Sequence, residues 1–186
     1  MKRLVSGLLM GLLSASFVYA DDVVQNVILE TNKGVVTIAL YPKKAPKTVA
    51  NFLNYVDKGA YNGVIFHRVI KGFMVQGGGF DRTMTPRPSE PPIVNESNNG
   101  LKNDIGTIAM ARTQDPHSAT NQFFINVVSN RFLNYQSDSR PGYCVFGKVT
   151  DGLDVVLDIS RVKTGSKGMF QDVPIQPVII KSIKKI

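Results

Sequence analysis

Hydrophobic positions come in short runs along this chain, most of them closed by glycine, asparagine or proline, and only two stretches show helical spacing. A first strand pair is predicted over 27–31 and 35–40, flanking the turn residues Asn32, Lys33 and Gly34. Pro46 then stands at a first helical position. Val49, Phe52, Leu53 and Val56 follow at helical spacing and Gly59 follows the last turn. The apolar stripe is narrow, bordered by Lys47, Asn51, Asn54 and Lys58, and suits capping a sheet or barrel end. A strand, tight turn and strand are predicted over 65–70, Lys71-Gly72 and 73–76. The next residues, Gly77, Gly78 and Gly79, would weaken a strand interior, so their use is to let backbone or a ligand approach closely.

Residues 80–102 are rich in proline, asparagine, serine and arginine and predict a long loop inside one domain. Strands resume over 105–110, 122–127 and 145–149. A second helix over 152–159 is carried by Leu153, Val156 and Leu157, and a last strand covers 178–183. Many short strands and two helices make the chain mainly β, an antiparallel barrel whose strand number the spacing does not fix. Ahead of all this, Lys2-Arg3, an apolar stretch over 4–18 and the polar Asp21-Asp22 have the parts of a secretory signal peptide. Its apolar stretch is short against the roughly 20 residues that span a bilayer. The expected organisation is a signal peptide over 1–20, cleaved after Ala20, and one domain over 21–186, with no membrane segment after cleavage.

Charge changes little in this picture. The chain has 22 basic and 14 acidic residues, a net charge of +8; loss of Lys2 and Arg3 would leave 20 against 14, or +6. The lysines are scattered and not interleaved with aromatics, so nucleic acid is not an expected partner. Cys144 is the lone cysteine and lies in Y-C-V-F, which reads as a buried strand with an inert thiol. His67 and His117 are the only histidines and neither has ligand spacing, so no metal is expected. No G-x-S-x-G nucleophile elbow occurs, and the three glycines lead into Phe80-Asp81, not the Lys-Ser/Thr of a phosphate loop; no cofactor is expected.

Arg68 is the unusual residue. It is a permanent charge among Phe66, Val69, Ile70, Phe73 and Met74. Either it snorkels to water from a strand edge, or it stands at the lip of an apolar pocket and presents its donors to a ligand.

Four blocks lie in a telling order: F-H-R-V-I-K-G-F-M-V-Q-G-G from Phe66, G-T-I-A-M-A-R-T from Gly106, S-A-T-N-Q-F-F-I from Ser118 and Y-C-V-F-G-K-V from Tyr143. Together they resemble the cyclophilin family of peptidyl-prolyl cis-trans isomerases, over nearly everything from Val27 to Ile183. The resemblance implies eight antiparallel strands closed into a barrel, a helix over each end and a substrate groove on the outside. It implies that Arg68 is the catalytic donor and that Phe73, Met74, Phe124 and Leu133 line a pocket for the proline ring. Gln76 and Gln122 would hold Arg68 and the peptide carbonyl, and backbone at Ala111 and Arg112 would pair with extended substrate. His67, Phe132 and Tyr143 complete the binding surface.

Two of these depart from the best-known pattern: Phe132 stands where many eukaryotic members carry tryptophan, and Tyr143 where they carry histidine. Weak binding of cyclosporin A is the expected result. With the leader, the resemblance points to exported bacterial members, hence to a periplasmic monomer acting on unfolded or extended proline-containing polypeptides. A non-catalytic proline-peptide binder or holdase using the same groove is the competing reading, and retention of Arg68 with Gln76 argues against it.

Overall fold

A computed structural model describes residues 24–186, so the expected leader lies outside the described residues. Strands β1 (Gln25–Thr31) and β2 (Gly34–Leu40) form a hairpin, and α1 spans Pro46–Asp57. Strands β3 (Val64–Ile70), β4 (Met74–Asp81), β5 (Thr107–Met110), β6 (Phe123–Asn126) and β7 (Val145–Asp151) follow, then α2 (Leu153–Ile159). A small hairpin of β8 (Thr164–Lys167) and β9 (Phe170–Pro174) precedes β10 (Ile180–Lys185). Eight strands make one sheet in the order β10-β1-β2-β7-β5-β6-β4-β3, every pair antiparallel. It curls until its ends meet: Phe66 N–H donates to the Val178 carbonyl and Gly63 N–H to the Ile180 carbonyl, both at 2.9 Å. Closure into a barrel leaves these edges paired, which an open sheet would expose.

Neighbouring residues on the central strands face two different cores. Phe123 and Ile125 of β6, Ile108 and Met110 of β5 and Phe146 of β7 point into the barrel, while Phe124, Ala109 and Val145 beside them join Met74 and Leu133 in a second apolar cluster outside it. That covered outer face explains why I-A-M of β5 and F-F-I of β6 show no alternation of apolar and polar residues: each strand is buried at all four positions. Helix α1 follows the Leu40 end of β2 and plugs the barrel there with Phe52, whose ring lies 5.2–5.6 Å from Tyr61, Phe123 and Phe146. Helix α2 sits by the other end of β2, with Val155 against Gly34 and with Val156 and Ile159 buried in the interior cluster. No side chain of α1's own cap bonds its first turn. Glu96 from the long loop does so, accepting from Lys47 N–H (3.1 Å), Thr48 N–H (2.8 Å) and Thr48 Oγ1 (2.7 Å).

The structure alters some sequence expectations. Thr31 pairs with Gly34, so the first turn has two residues and Gly34 opens β2. Ile70 pairs with Met74, which moves Phe73 from a strand into the turn. Strand β4 does not stop at Gln76 but continues through the three glycines to Asp81. Hairpin β8–β9 was not expected; β8 is exposed at all four positions and carries no apolar pattern. Cys144 is buried near Thr48, and burial pushes its thiol up to about 11, as an inert side chain requires.

Candidate active site

A groove of about 540 Å³ runs over the outer cluster. It is lined by Arg68, His67, Phe73, Met74, Gln76, Ala111, Arg112, Gln122, Phe124, Leu133 and Tyr143, so eleven of the twelve residues singled out from the sequence meet in one place. The exception is Phe132, which lies on the rim; it is 68% exposed and stacks on Phe73 at 5.7 Å.

A β-bulge brings the two polar residues of β3 together. Phe66 pairs with Gly77 and Arg68 with Gln76, so β3 spends two steps where β4 spends one and His67 is the extra residue. Without that bulge, consecutive side chains would point to opposite faces; with it, both reach the groove. Arg68 is exposed and makes no hydrogen bond or ion pair among the described residues. His67 is buried, its ring edge-on to Phe80 at 4.7 Å and its Nδ1 without a hydrogen-bond partner. Burial is the main cause that lowers its pKa to about 4, so it is neutral at physiological pH.

Gln122 and Gln76 form the polar centre. Gln76 Nε2 donates to Gln122 Oε1 at 3.0 Å, so Gln76 holds Gln122 and not, as expected, Arg68. Gly79 makes this arrangement possible: a Cβ there would lie 2.6 Å from Cγ, Cδ and Nε2 of Gln122. Gly78, at φ +95°, likewise admits the Asn121 carbonyl, which a Cβ would meet at 2.6 Å. The close approach expected of the glycines is therefore made by the chain's own residues.

The apolar end is fixed by polar groups beneath it. Asn130 Nδ2 donates to the Phe73 carbonyl (2.9 Å) and to Asn126 Oδ1 (2.7 Å). Asn126 Nδ2 donates to Asn103 Oδ1 (3.1 Å), and Asn103 Nδ2 reaches the carbonyls of Leu133 (3.1 Å) and Tyr143 (3.3 Å). All three asparagines are buried, and each holds backbone of a groove residue or holds another asparagine that does. Tyr143 packs edge-on to Phe124 at 5.7 Å, and Arg112 lies over its ring at 4.5 Å with Nε donating to the Gly142 carbonyl (3.0 Å).

Sequence reasoning missed these asparagines and a whole wall. Phe80, Met169, Phe170, Gln171 and Asp172 line the groove, the last four on the β8–β9 hairpin. Phe170 packs edge-on to Phe80 at 5.1 Å, and Lys167 Nζ donates to the Arg82 carbonyl at 3.2 Å, which ties the hairpin down. One aromatic in a polar stretch was the sole signal. No cluster of three or more His, Cys, Asp or Glu suited to a metal occurs among the described residues.

A closed eight-stranded barrel with an apolar pocket beside an unpaired arginine on its outer face defines a peptide-binding protein of the cyclophilin class. The comparisons agree. The family model for cyclophilin type peptidyl-prolyl cis-trans isomerase/CLD matches residues 26–185. Peptidyl-prolyl cis-trans isomerase B of Escherichia coli is 58% identical over 159 residues, covering 84% of this chain and 97% of that protein. Peptidyl-prolyl cis-trans isomerase A of Dickeya dadantii is 48% identical over 188 residues, covering 100% and 98%. A crystal structure of a Cryptosporidium parvum cyclophilin type isomerase in the presence of the dipeptide Ala-Pro superposes with a TM-score of 0.73 at 33% identity, covering 86% of this chain and 97% of that one. The chain belongs to the cyclophilin-type peptidyl-prolyl cis-trans isomerases, and its activity is isomerisation of Xaa-Pro peptide bonds.

Proposed function

We propose that Arg68 accelerates rotation about Xaa-Pro bonds by donating a hydrogen bond to the prolyl nitrogen at the twisted transition state, and that the substrates are proline-containing segments of exported proteins folding in the periplasm. The amide's partial double bond sets a barrier of about 18–20 kcal/mol. On twisting, resonance is lost and the nitrogen regains a lone pair that the planar ground state does not offer. A donor aimed there binds the transition state selectively. The observation that carries this reading is that Arg68 reaches the groove with no protein partner among the described residues, beside the apolar side chains of Phe73, Met74, Phe124 and Leu133.

Raising a rate from about 0.01 to about 1,000 per second takes roughly 7 kcal/mol. One charge-assisted hydrogen bond nets about 1.5–3 kcal/mol. The rest is assigned to the groove: Phe73, Met74, Phe124 and Leu133 hold the proline ring away from water, Gln122, steadied by Gln76, meets the peptide carbonyl, and Ala111 and Arg112 backbone aligns the chain. His67, neutral and packed under Phe80, contributes shape and no charge. Arg68→Lys separates charge from geometry, because an ammonium keeps the charge and loses the planar fork. Turnover measured by magnetisation exchange on a proline peptide should fall for Arg68→Lys by more than KM rises, and further for Arg68→Ala; equal turnover in Arg68→Ala would remove the arginine from the mechanism.

Support for export comes from the basic, apolar and polar order of residues 1–22. The Dickeya relative also aligns over this whole chain, the leader included. The mature protein is expected to start at Asp21 and to be released by osmotic shock. N-terminal mass analysis tests this, and full-length chain in the membrane fraction would contradict it.

A further inference from the structure

The β8–β9 hairpin leaves one carboxylate facing the groove. Asp172 is the sole acidic side chain among the groove's lining residues, where Arg68 and Arg112 are the cations. It is half-buried and makes no hydrogen bond or ion pair among the described residues. Its backbone is left-handed, at φ +59°, and Met84 is the only other non-glycine residue at positive φ among those described. A non-glycine residue there is strained, and such strain persists where the surroundings impose it, commonly at ligand-binding sites. Here the surroundings are the Phe170–Phe80 contact on one side of Asp172 and the pairing of Val173 with Gly165 on the other. Beside it Met169 is 89% exposed, an unbranched apolar side chain with nothing over it.

We infer that Asp172 and Met169 form a second subsite that selects a lysine or arginine side chain of the substrate a few residues from the isomerised proline. The carboxylate would meet the cationic head while the thioether packs on the aliphatic stem, a division that long basic side chains suit. Its place in the groove sets the spacing. Strand β4 carries Gln76 at the polar centre and Phe80 under the hairpin, four residues apart, and the bulge that sets the four steps from Gly77 to Asp81 against the two from Phe66 to Val64 shortens the span to roughly 7–13 Å. An extended peptide covers that in about two to four residues. Charge favours the same choice by exclusion: an acidic side chain at this end would face Asp172, while the groove's cations lie at Arg68 and Arg112.

The subsite rests on the isomerase reading, and the test keeps the two apart. A host peptide with one proline among alanines is assayed by magnetisation exchange beside variants carrying a single lysine or glutamate at each of four positions on either side. Expected is a preference of roughly twofold to fivefold in kcat/KM for lysine over glutamate, on one side of the proline only, as for a partly exposed charge pair. The preference should shrink as salt rises. Asp172→Asn should abolish the ratio between lysine and glutamate peptides, and Asp172→Lys should invert it. Rates for lysine and glutamate peptides that are equal in the wild-type protein, or a preference that survives Asp172→Asn, would overturn the subsite. So would an equal loss on all peptides in Asp172→Asn, which would make Asp172 a partner of Arg68 or a structural residue. If the substitutions at Asp172 do not fold, the salt dependence of the wild-type preference decides. Failure of the alanine host to isomerise with wild-type protein would strike the isomerase reading itself.

Discussion

At the scale of single residues, the site separates groups that act by charge from groups that act by shape. Arg68 brings a guanidinium with its charge and planar set of donors to the groove. His67 is the opposite case. Its folded pKa of about 4 lies below the ordinary 6.5, so between those values the unfolded chain binds a proton that the folded one excludes. Stability from this group is present in full above pH 6.5 and is lost as pH falls toward 4, by on the order of 2–3 kcal/mol. Chemical denaturation at pH 7 and pH 4.5 should show the drop, and His67→Gln should remove most of it; an unchanged difference would mean other groups carry it. Turnover per folded molecule should stay flat from pH 6 to 9. Phe132 tests recognition on the rim. It lacks the N–H of an indole, so Phe132→Trp should tighten cyclosporin A by about tenfold to a hundredfold through a hydrogen bond and a larger face, while peptide turnover changes little. Inhibitor titration of both forms would contradict this by showing equal affinity.

The elements matter for where they stop and bend. Strand β4 passes through three glycines because Gln122 and the Asn121 carbonyl occupy the space where side chains would stand. Gly79→Ala should therefore push Gln122 off Gln76, lowering kcat/KM about tenfold, the order expected for losing an oriented hydrogen-bonding group, with a much smaller change in melting temperature. Equal activity in a folded Gly79→Ala protein would show that Gln122 does not need that position. The asparagine network should behave the other way. Asn126→Ala leaves Asn103 and Asn130 with buried unpaired groups and should cost about 1–3 kcal/mol per group, read by urea denaturation. These elements also show what could be read from the chain. The two helices and most strands were legible because their apolar spacing faces the interior, as Phe52 and Val56 do. Strand β8 has no buried side, so nothing in T-G-S-K announces it, and β9 is held by Phe170 against a residue 90 positions earlier in the chain. The continuation of β4 was missed because its glycines oppose a strand locally, and ladder pairing with β3 and β6 overrides that.

For the whole molecule, the barrel gives a rigid wall and leaves chemistry to its outer surface. The strand number came from resemblance, since alternation alone does not count strands, and the order β10-β1-β2-β7-β5-β6-β4-β3 places residues from all four blocks around one groove. Eleven of the expected site residues converge there because the family's motifs encode the outer cluster as well as the core. What resemblance did not carry is the wall from Met169 to Asp172 and the asparagines beneath the pocket.

The most direct test of the catalytic proposal measures binding and rotation on the same peptide. Lineshape and exchange spectra of an Ala-Pro peptide, titrated with wild-type protein and with Arg68→Ala, give the dissociation constant and the cis-trans rate on the protein from one data set, with circular dichroism showing that both are folded. Arg68→Ala should bind the peptide within a few-fold of wild type and rotate it at least tenfold to a hundredfold more slowly, the loss of one charge-assisted hydrogen bond made at the transition state. A folded Arg68→Ala protein that rotates the bound peptide at the wild-type rate, or that loses affinity in proportion to rate, would contradict selective stabilisation of the twisted amide by Arg68.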